Sequence, residues 1–196
     1  MTALPQKVAV SLGTATPGGG FPVYGQAFAD TINEMEPTLE VKPQNTKGST
    51  ENIPLLEAGK IDLGLVQGEA ALEALNGIGR APADLRILTA MYGTPGMFVV
   101  RDDSTYRSID DLKGEPVAFG ARGSGLVILA RYVLDGLGID RDKDFEAIFL
   151  DRAGDGPEIG DERKGRGPLG RRCRLARIYG CRQGPRRRAL HRTRRR

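Results

Sequence analysis

Cysteine and histidine are missing from the first 150 residues: Cys173, Cys181 and His191, the only ones in the chain, all lie near its C-terminal end. A body without them offers no disulfide, no Cys/His metal site and no Ser-His or Cys-His catalytic pair. Long apolar runs are missing too. No stretch approaches the ~20 residues that cross a bilayer, and the start MTALPQKVAV lacks the basic-then-apolar order of a secretory leader. The expectation is either a cytosolic protein or a leader lying outside the sequence. Apolar residues are also scarce in residues 151–196, which hold five Leu and Ile and no Val or Phe, below the ~20% at which a segment can build a core.

What is present divides sharply. The net charge of +4 over 196 residues conceals 16 Lys and Arg against 5 Asp and Glu in residues 151–196, and 13 against 20 in the first 150. The acidic part carries the periodicity of a globular domain. KVAVSLG (7–13) predicts a buried strand, TATPGGG a loop, and FPVYGQAFADTINEM a helix with Val23, Ala27, Phe28 and Ile32 at helical spacing. The theme repeats. LEVKPQN (39–45) reads as a strand, KGSTEN opens a helix to about Gly59, IDLGLV (61–66) is a strand and EAALEAL (69–75) a helix.

Strands are then expected at RILTAMY (86–92) and MFVVR (97–101). SIDDLKG (108–114) reads as a short helix with Ser108 as N-cap, Asp111 at the third position and Gly114 as terminator. PVAFG (116–120), the turn ARGSG, the helix LVILARYVLDGLG and the strand DFEAIFL (144–150) begin a second alternating unit. Such alternation predicts an α/β fold with parallel sheets covered by helices.

Three strand-to-helix junctions combine glycine with hydroxyl residues: GTATPGGG (13–20), KGST (47–50) and GARGSG (120–125). In parallel sheets such junctions lie at the carboxyl ends of the strands, where helix N-termini present unpaired N–H groups, so together they predict an anion pocket. Taken alone, Ser49 and Ser124 read equally as helix caps. Tyr24 reads either as a ligand contact or as core, and Gln67 as a pocket edge or a surface turn. No GK[ST] follows any glycine loop and GARGSG is not a GxGxxG fingerprint, so no cofactor is expected. Asp102, Asp103, Asp110 and Asp111 read as solvated turn and cap residues. With no general base beyond such carboxylates, an enzyme is not expected.

The stretches VSLGTATPGGGFPVYGQAFADTINE, QNTKGSTENIPLLEAGKIDLGLVQGEAALEALNG and VVRDDSTYRSIDDLKGEPVAFGARGSGLVILARYVLDGLGI, in that order, resemble the TAXI family of solute receptors for TRAP transporters. The resemblance implies a type II periplasmic-binding-protein-like fold: a nearly complete first lobe (1–100), a partial second lobe (101–158) and an arginine-rich tail (159–196). It also implies a periplasmic receptor that closes on a small carboxylate solute, glutamate-like or another organic acid, and hands it to the TRAP permease membrane subunits. Carried onto this chain, the ligand contacts are Gly13, Thr14, Tyr24, Ser49, Gln67, Ser124 and Gly125. Pro54 near the end of the helical turn in which proline is tolerated, and the glycine-rich first loop, depart from the family pattern.

The tail departs further. A receptor of this kind continues past DRAGDGPE with a helix, a turn and another strand, whereas this chain turns to IGDERKGRGPLG. Removing one base from the codon of Ile159 permits Met-Val-Met-Ser-Gly-Lys-Val-Ala-Ala-Leu-Trp, in which SGKVAA parallels AGKIDL at 58–63. The reading is a change of frame near residue 159 and a largely disordered tail. The rival is a tail that binds nucleic acid or another polyanion through the 15 arginines of residues 151–196; against a specific nucleic-acid role stand its scarcity of aromatics and its lack of strand or helix periodicity. The truncated second lobe is expected to leave an unpaired sheet edge and apolar faces at Val117, Phe119, Ile148 and Leu150 uncovered, with marginal stability and defective solute binding.

Overall fold

A computed structural model of the chain describes residues 7–93, 96–100, 102 and 104–155, together with the backbone of 176–179. The remainder of the tail lies outside the described residues, and with it the expectations of disorder and of polyanion binding.

The first lobe is built on β1 (Val8–Gly13), β2 (Leu39–Gln44) and β3 (Leu63–Gly64), all parallel in the order β2-β1-β3, with α1 (Gly20–Met35) and α2 (Ser49–Glu57) as crossovers and α3 (Gly68–Asn76) following β3. Helix α1 approaches β1 closely because Gly25 and Ala29 face it. A Cβ on Gly25 would lie 2.6 Å from Thr14 Cγ2, and Ala29 packs with Leu12, Val41 and Leu65. Asn33, one turn on, grips the edge strand: its amide donates to the Val41 carbonyl at 3.0 Å and its oxygen accepts the Val41 N–H at 2.6 Å. Pro54 sits inside α2 without ending it.

Two expectations fail here. IDLGLV forms a ladder only at Leu63 and Gly64, and RILTAMY forms no strand. The reasons are connected, since a two-residue β3 offers almost no backbone edge for 86–92 to join. Leaving the ladder exposes Ile87 and Leu88, while Met91 remains packed on the first-lobe core.

The second lobe holds β4 (Met97–Val99), β5 (Pro116–Ala121), β6 (Glu146–Leu150) and β7 (Ala176–Tyr179) in the order β4-β7-β5-β6, with α4 (Gly125–Gly136) and the single turn α5 (Arg141–Asp144) between β5 and β6. The strand β7 corrects the sequence reading, which found no strand periodicity in the tail. It inserts between β4, to which it is antiparallel, and β5, to which it is parallel. The faces expected to be uncovered are not. Val117 and Phe119 are fully buried and Leu150 is buried. Leu112, Ala130, Leu134, Ile139 and Phe145 cover Val117 and Phe119, with Phe98 and Phe145 edge-on to the Phe119 ring at 6.5 and 5.9 Å. Ile148 is half-buried. Among the described residues, edges nevertheless remain at β4 and β6.

The helix expected over 108–114 is only a 3-10 turn at Asp110–Leu112, and its N-cap position is Ile109 rather than Ser108, though Ser108 and Asp111 still bond to each other across it. The Asp111 carboxylate accepts the Ser108 N–H at 2.8 Å and the Arg107 N–H at 2.7 Å, and the Asp111 N–H donates back to Ser108 Oγ at 3.3 Å. In the first lobe Asp62 is held similarly by the Ser11 hydroxyl (2.6 Å) and N–H (2.8 Å). These bonds, the hydroxyl's foremost, lower the Asp62 pKa. A carboxyl whose folded pKa is depressed binds fewer protons than in the unfolded chain, so its contribution is complete above the ordinary carboxylate pKa of ~3.9 and is lost as pH falls through the lower folded value. Acid unfolding followed by circular dichroism should therefore be less steep below about pH 4 in Asp62→Asn than in the parent chain. Superimposable acid limbs would remove Asp62 from the account.

Candidate functional site

The strand ends of the two lobes face each other, and three of the expected glycine-hydroxyl junctions meet there. The contact is direct. Thr50 donates both its N–H (3.1 Å) and its hydroxyl (3.0 Å) to the Gly123 carbonyl. A Cβ on Gly123 would lie 2.6 Å from that of Lys47, and one on Gly125 would lie 2.7 Å from Ser49 Oγ and closer still to Gln67 Cβ. The first loop makes its own crossing: Thr16 Oγ1 accepts the Ala153 N–H at 3.1 Å, and Gly18, at φ +88°, leaves no space for a side chain beside Gly154. Farther along the helices, Arg131 of α4 pairs with Glu73 of α3.

The expected site residues thus come together, in two groups with different surroundings. Ser49, Ser124 and Gly125 form the lobe contact itself. Ser49 is buried as the first residue of α2, and its hydroxyl accepts the Gln67 N–H at 3.0 Å; it is not the N-cap, which is Gly48. Ser124 is an N-cap, accepting the Leu126 N–H at 3.2 Å. Gly13 and Thr14 end β1 in buried surroundings: Thr14 Oγ1 donates to the Gln44 carbonyl at 2.9 Å, and a Cβ on Gly13 would strike Ile61 and Asn52.

Gln67 and Tyr24 belong to the second group, around a cavity of about 210 Å³ lined by Phe21, Val66, Gln67, Gly68, Glu69, Met91 and Tyr92. Tyr24 stands behind that lining, its ring 5.3 Å from Tyr92 and stacked at 6.4 Å on Phe28, and it packs on the first-lobe core. The Tyr92 hydroxyl reaches the start of α1, 3.4 Å from where a Gly20 Cβ would lie. Burial first, then the neighbouring Tyr24 phenol, raises its pKa, so it is a protonated donor at neutral pH. The starts of α1 and α3 therefore border one small chamber beside the lobe contact, and helix starts favour negative charge. At this volume, below the ~300 Å³ at which drug-sized pockets begin, the chamber suits a small guest.

Sequence reasoning missed Asn52, Glu69, Met91 and Tyr92. Asn52 is fully buried in α2, and its amide nitrogen lies 2.8 Å from the Thr14 and Leu65 carbonyls and 3.3 Å from that of Gly13. It ties the ends of β1 and β3 to the start of α2. The available signal was a polar residue on the inward stripe beside Ile53. Met91 and Tyr92 are the last two residues of the segment that reads as a strand (86–92), and nothing local marks them as chamber walls.

Solved structures share this fold. The alkanesulfonate-binding protein SsuA from Xanthomonas axonopodis pv. citri, bound to MOPS, aligns with a TM-score of 0.54 at 17% identity, covering 90% of this chain and 56% of its own. A putative L-cystine ABC transporter from Listeria monocytogenes aligns with a TM-score of 0.53 at 18% identity, covering 89% of this chain and 69% of that one. PA01 protein, a putative LysR family transcriptional regulator from Pseudomonas aeruginosa, aligns with a TM-score of 0.53 at 12% identity over 93% of this chain and 58% of its own. The chain thus spans little more than half the length of the first and third. The fold is α/β and periplasmic-binding-protein-like, and its occurrence in a regulator as well as in binding proteins means that fold alone does not assign function. The NMT1-like family profile matches residues 12–159, three quarters of the chain, and on that match the chain belongs to the NMT1-like family.

Proposed function

We propose that this chain derives from a periplasmic solute receptor that captures a small carboxylate-bearing solute where its two lobes meet, for delivery to the membrane subunits of a TRAP-type transporter. The observation that carries the reading is the chamber itself, bordered by the starts of α1 and α3 and walled by Gln67, whose N–H is held by Ser49 at the lobe contact. A protonated phenol, a side-chain amide and helix-start N–H groups are the neutral donors with which a carboxylate can be bound without a fixed cation.

All seven lining residues belong to the first lobe. Binding by this chain is consequently weak, because the second-lobe contacts that close over a solute are incomplete. The expected dissociation constant is of the order of 1 mM, about −4 kcal/mol. Isothermal titration with a panel of two- to six-carbon organic acids should give at least one saturable isotherm in that range, with the titrated acid recovered unchanged. Micromolar binding would contradict the incomplete closure, chemical turnover would contradict a receptor, and no binding by any acid would contradict the carboxylate reading.

The match to the family ends at residue 159, the position at which the sequence reading places a change of frame. Resequencing the locus tests that part of the proposal. A receptor-like continuation in the shifted frame supports it, and an unbroken frame with no such continuation removes it.

A further inference from the structure

Helix α4 has two packed faces, and only one serves its own lobe. Leu126, Ala130 and Leu134 pack with Val117 and Phe119 in the second-lobe core. Gly125, Ile128 and Arg131 recur at every third position, which places them together along another face of the helix, and all three meet the first lobe. Gly125 is fitted against Ser49 and Gln67. Ile128 packs on the cluster made by Ile53 of α2, Ala70 and Ala74 of α3, and Ala83, beside Val66 and Leu85. Arg131 pairs with Glu73, whose side chain is only 15% exposed. Lobes that part and rejoin usually meet through a more polar surface than this. The connection between them is held by the same helix: a Cβ on Gly96, just before β4, would lie 2.8 Å from Leu129 Cδ2.

We propose that this face of α4 is a latch that keeps the two lobes closed when no solute is bound. A ligand shifts a conformational equilibrium only through contacts that differ between the two states. All seven residues lining the chamber belong to the first lobe, so a solute held there touches nothing that lobe opening would remove and cannot itself draw the lobes together. Gly125, Ile128 and Arg131 do so instead. Moving α4 away would expose the apolar cluster under Ile128 to water and leave Glu73 without its cation. The latch acts whatever solute the chamber takes, and it makes the second lobe a fixed brace for α2 and α3 and not a moving jaw.

The Thr50 N–H reports the state of the latch. Thr50 is the second residue of α2, too early in the helix for an intrahelical partner, and its N–H donates to the Gly123 carbonyl across the lobe contact at 3.1 Å. The Val41 N–H is held inside the first lobe, by Asn33 at 2.6 Å. Amide hydrogen exchange of the solute-free full chain, resolved by NMR, should show Thr50 slowed at least about 100-fold relative to an unstructured peptide. Ile128→Ala should accelerate Thr50 about 10-fold while leaving Val41 within about twofold of its parent rate. Arg131→Met, which removes the charge and keeps an unbranched side chain, should act in the same direction by about threefold, and it decides the question if Ile128→Ala does not fold. Exchange of Thr50 at the unstructured rate in the parent chain overturns the proposal, because the lobes then open without a solute. So does a Thr50 rate that the variants leave unchanged. Acceleration of Thr50 and Val41 by the same factor overturns it as well, since these side chains would then contribute to overall stability alone.

Discussion

Gly125→Ala should separate the two lobes and destabilise the chain by about 3 kcal/mol, the upper end of what an added methyl group costs in a filled contact. The new Cβ would lie 2.7 Å from Ser49 Oγ and nearer still to the Cβ of Gln67. Neither neighbour yields easily. Ser49 is 1% exposed and its hydroxyl holds the Gln67 N–H at 3.0 Å, so relief of the clash means either breaking that bond or withdrawing α4. Withdrawal would take with it the two bonds from Thr50 to the Gly123 carbonyl and the Arg131 to Glu73 pair. Urea denaturation measures the loss, and small-angle scattering should show a larger radius of gyration. A midpoint and radius equal to those of the parent chain would mean that the lobes do not meet through this glycine.

A loss of similar size is expected for Asn52→Ala, for a different reason. The amide nitrogen of Asn52 is within 2.8 Å of two carbonyls from different strands, Thr14 on the end of β1 and Leu65 just past β3. Thr14 keeps a second donor in the Thr46 hydroxyl, 3.1 Å away. The Leu65 carbonyl is left to be satisfied by a site with no room for bulk water, and each buried polar group stripped of its partner costs ~1–3 kcal/mol. Together with the cavity left behind, about 3 kcal/mol is expected, a large share of the 5–15 kcal/mol that holds an ordinary domain together. Asn52→Asp should be no better, because the side-chain oxygen of Asn52 already lacks a partner and a buried unpaired charge is costlier than a neutral amide. Denaturant midpoints within experimental error of the parent for both variants would show that Asn52 does not tie the strand ends together.

Both effects arise from long-range contacts, which marks the boundary of what could be read from the sequence. Strands β1, β2, β5 and β6 and helices α1 and α4 are legible because their signals are local: alternation or a continuous apolar run, then helical spacing, then glycine. Capping at Ser124 is legible for the same reason. RILTAMY carries an equally strong local strand signal and forms none, because a strand also needs a neighbour and β3 provides two residues of ladder. The opposite error occurs at 176–179, a segment rich in arginine surroundings that nevertheless pairs with β4 and β5. Strand pairing is decided by the available edges, and these are set by residues far away in sequence.

The candidate site shows the same division. Glycine and hydroxyl residues at strand-to-helix junctions indicated where the lobes meet, and they do meet there. Their chemistry was not legible. Of the amides expected to be open to a ligand, that of Thr50 is engaged with the Gly123 carbonyl of the opposite lobe while those of Arg122 and Ser124 bond within their own lobe, and the available space lies one junction away, behind Gln67. Tyr92 and Met91 reach it from an irregular segment, and Glu69 from a helical turn whose sequence, EAALEAL, reads only as amphipathic.

The most direct measurement is a two-dimensional amide NMR titration of the whole chain with two- to six-carbon organic acids at concentrations up to tens of millimolar, roughly tenfold above the dissociation constant expected here. The account predicts saturable shifts concentrated at Phe21, Gln67, Gly68, Glu69 and Tyr92, around the chamber beside the lobe contact. Shifts that leave these amides unmoved and gather on the arginines beyond residue 159 would contradict it.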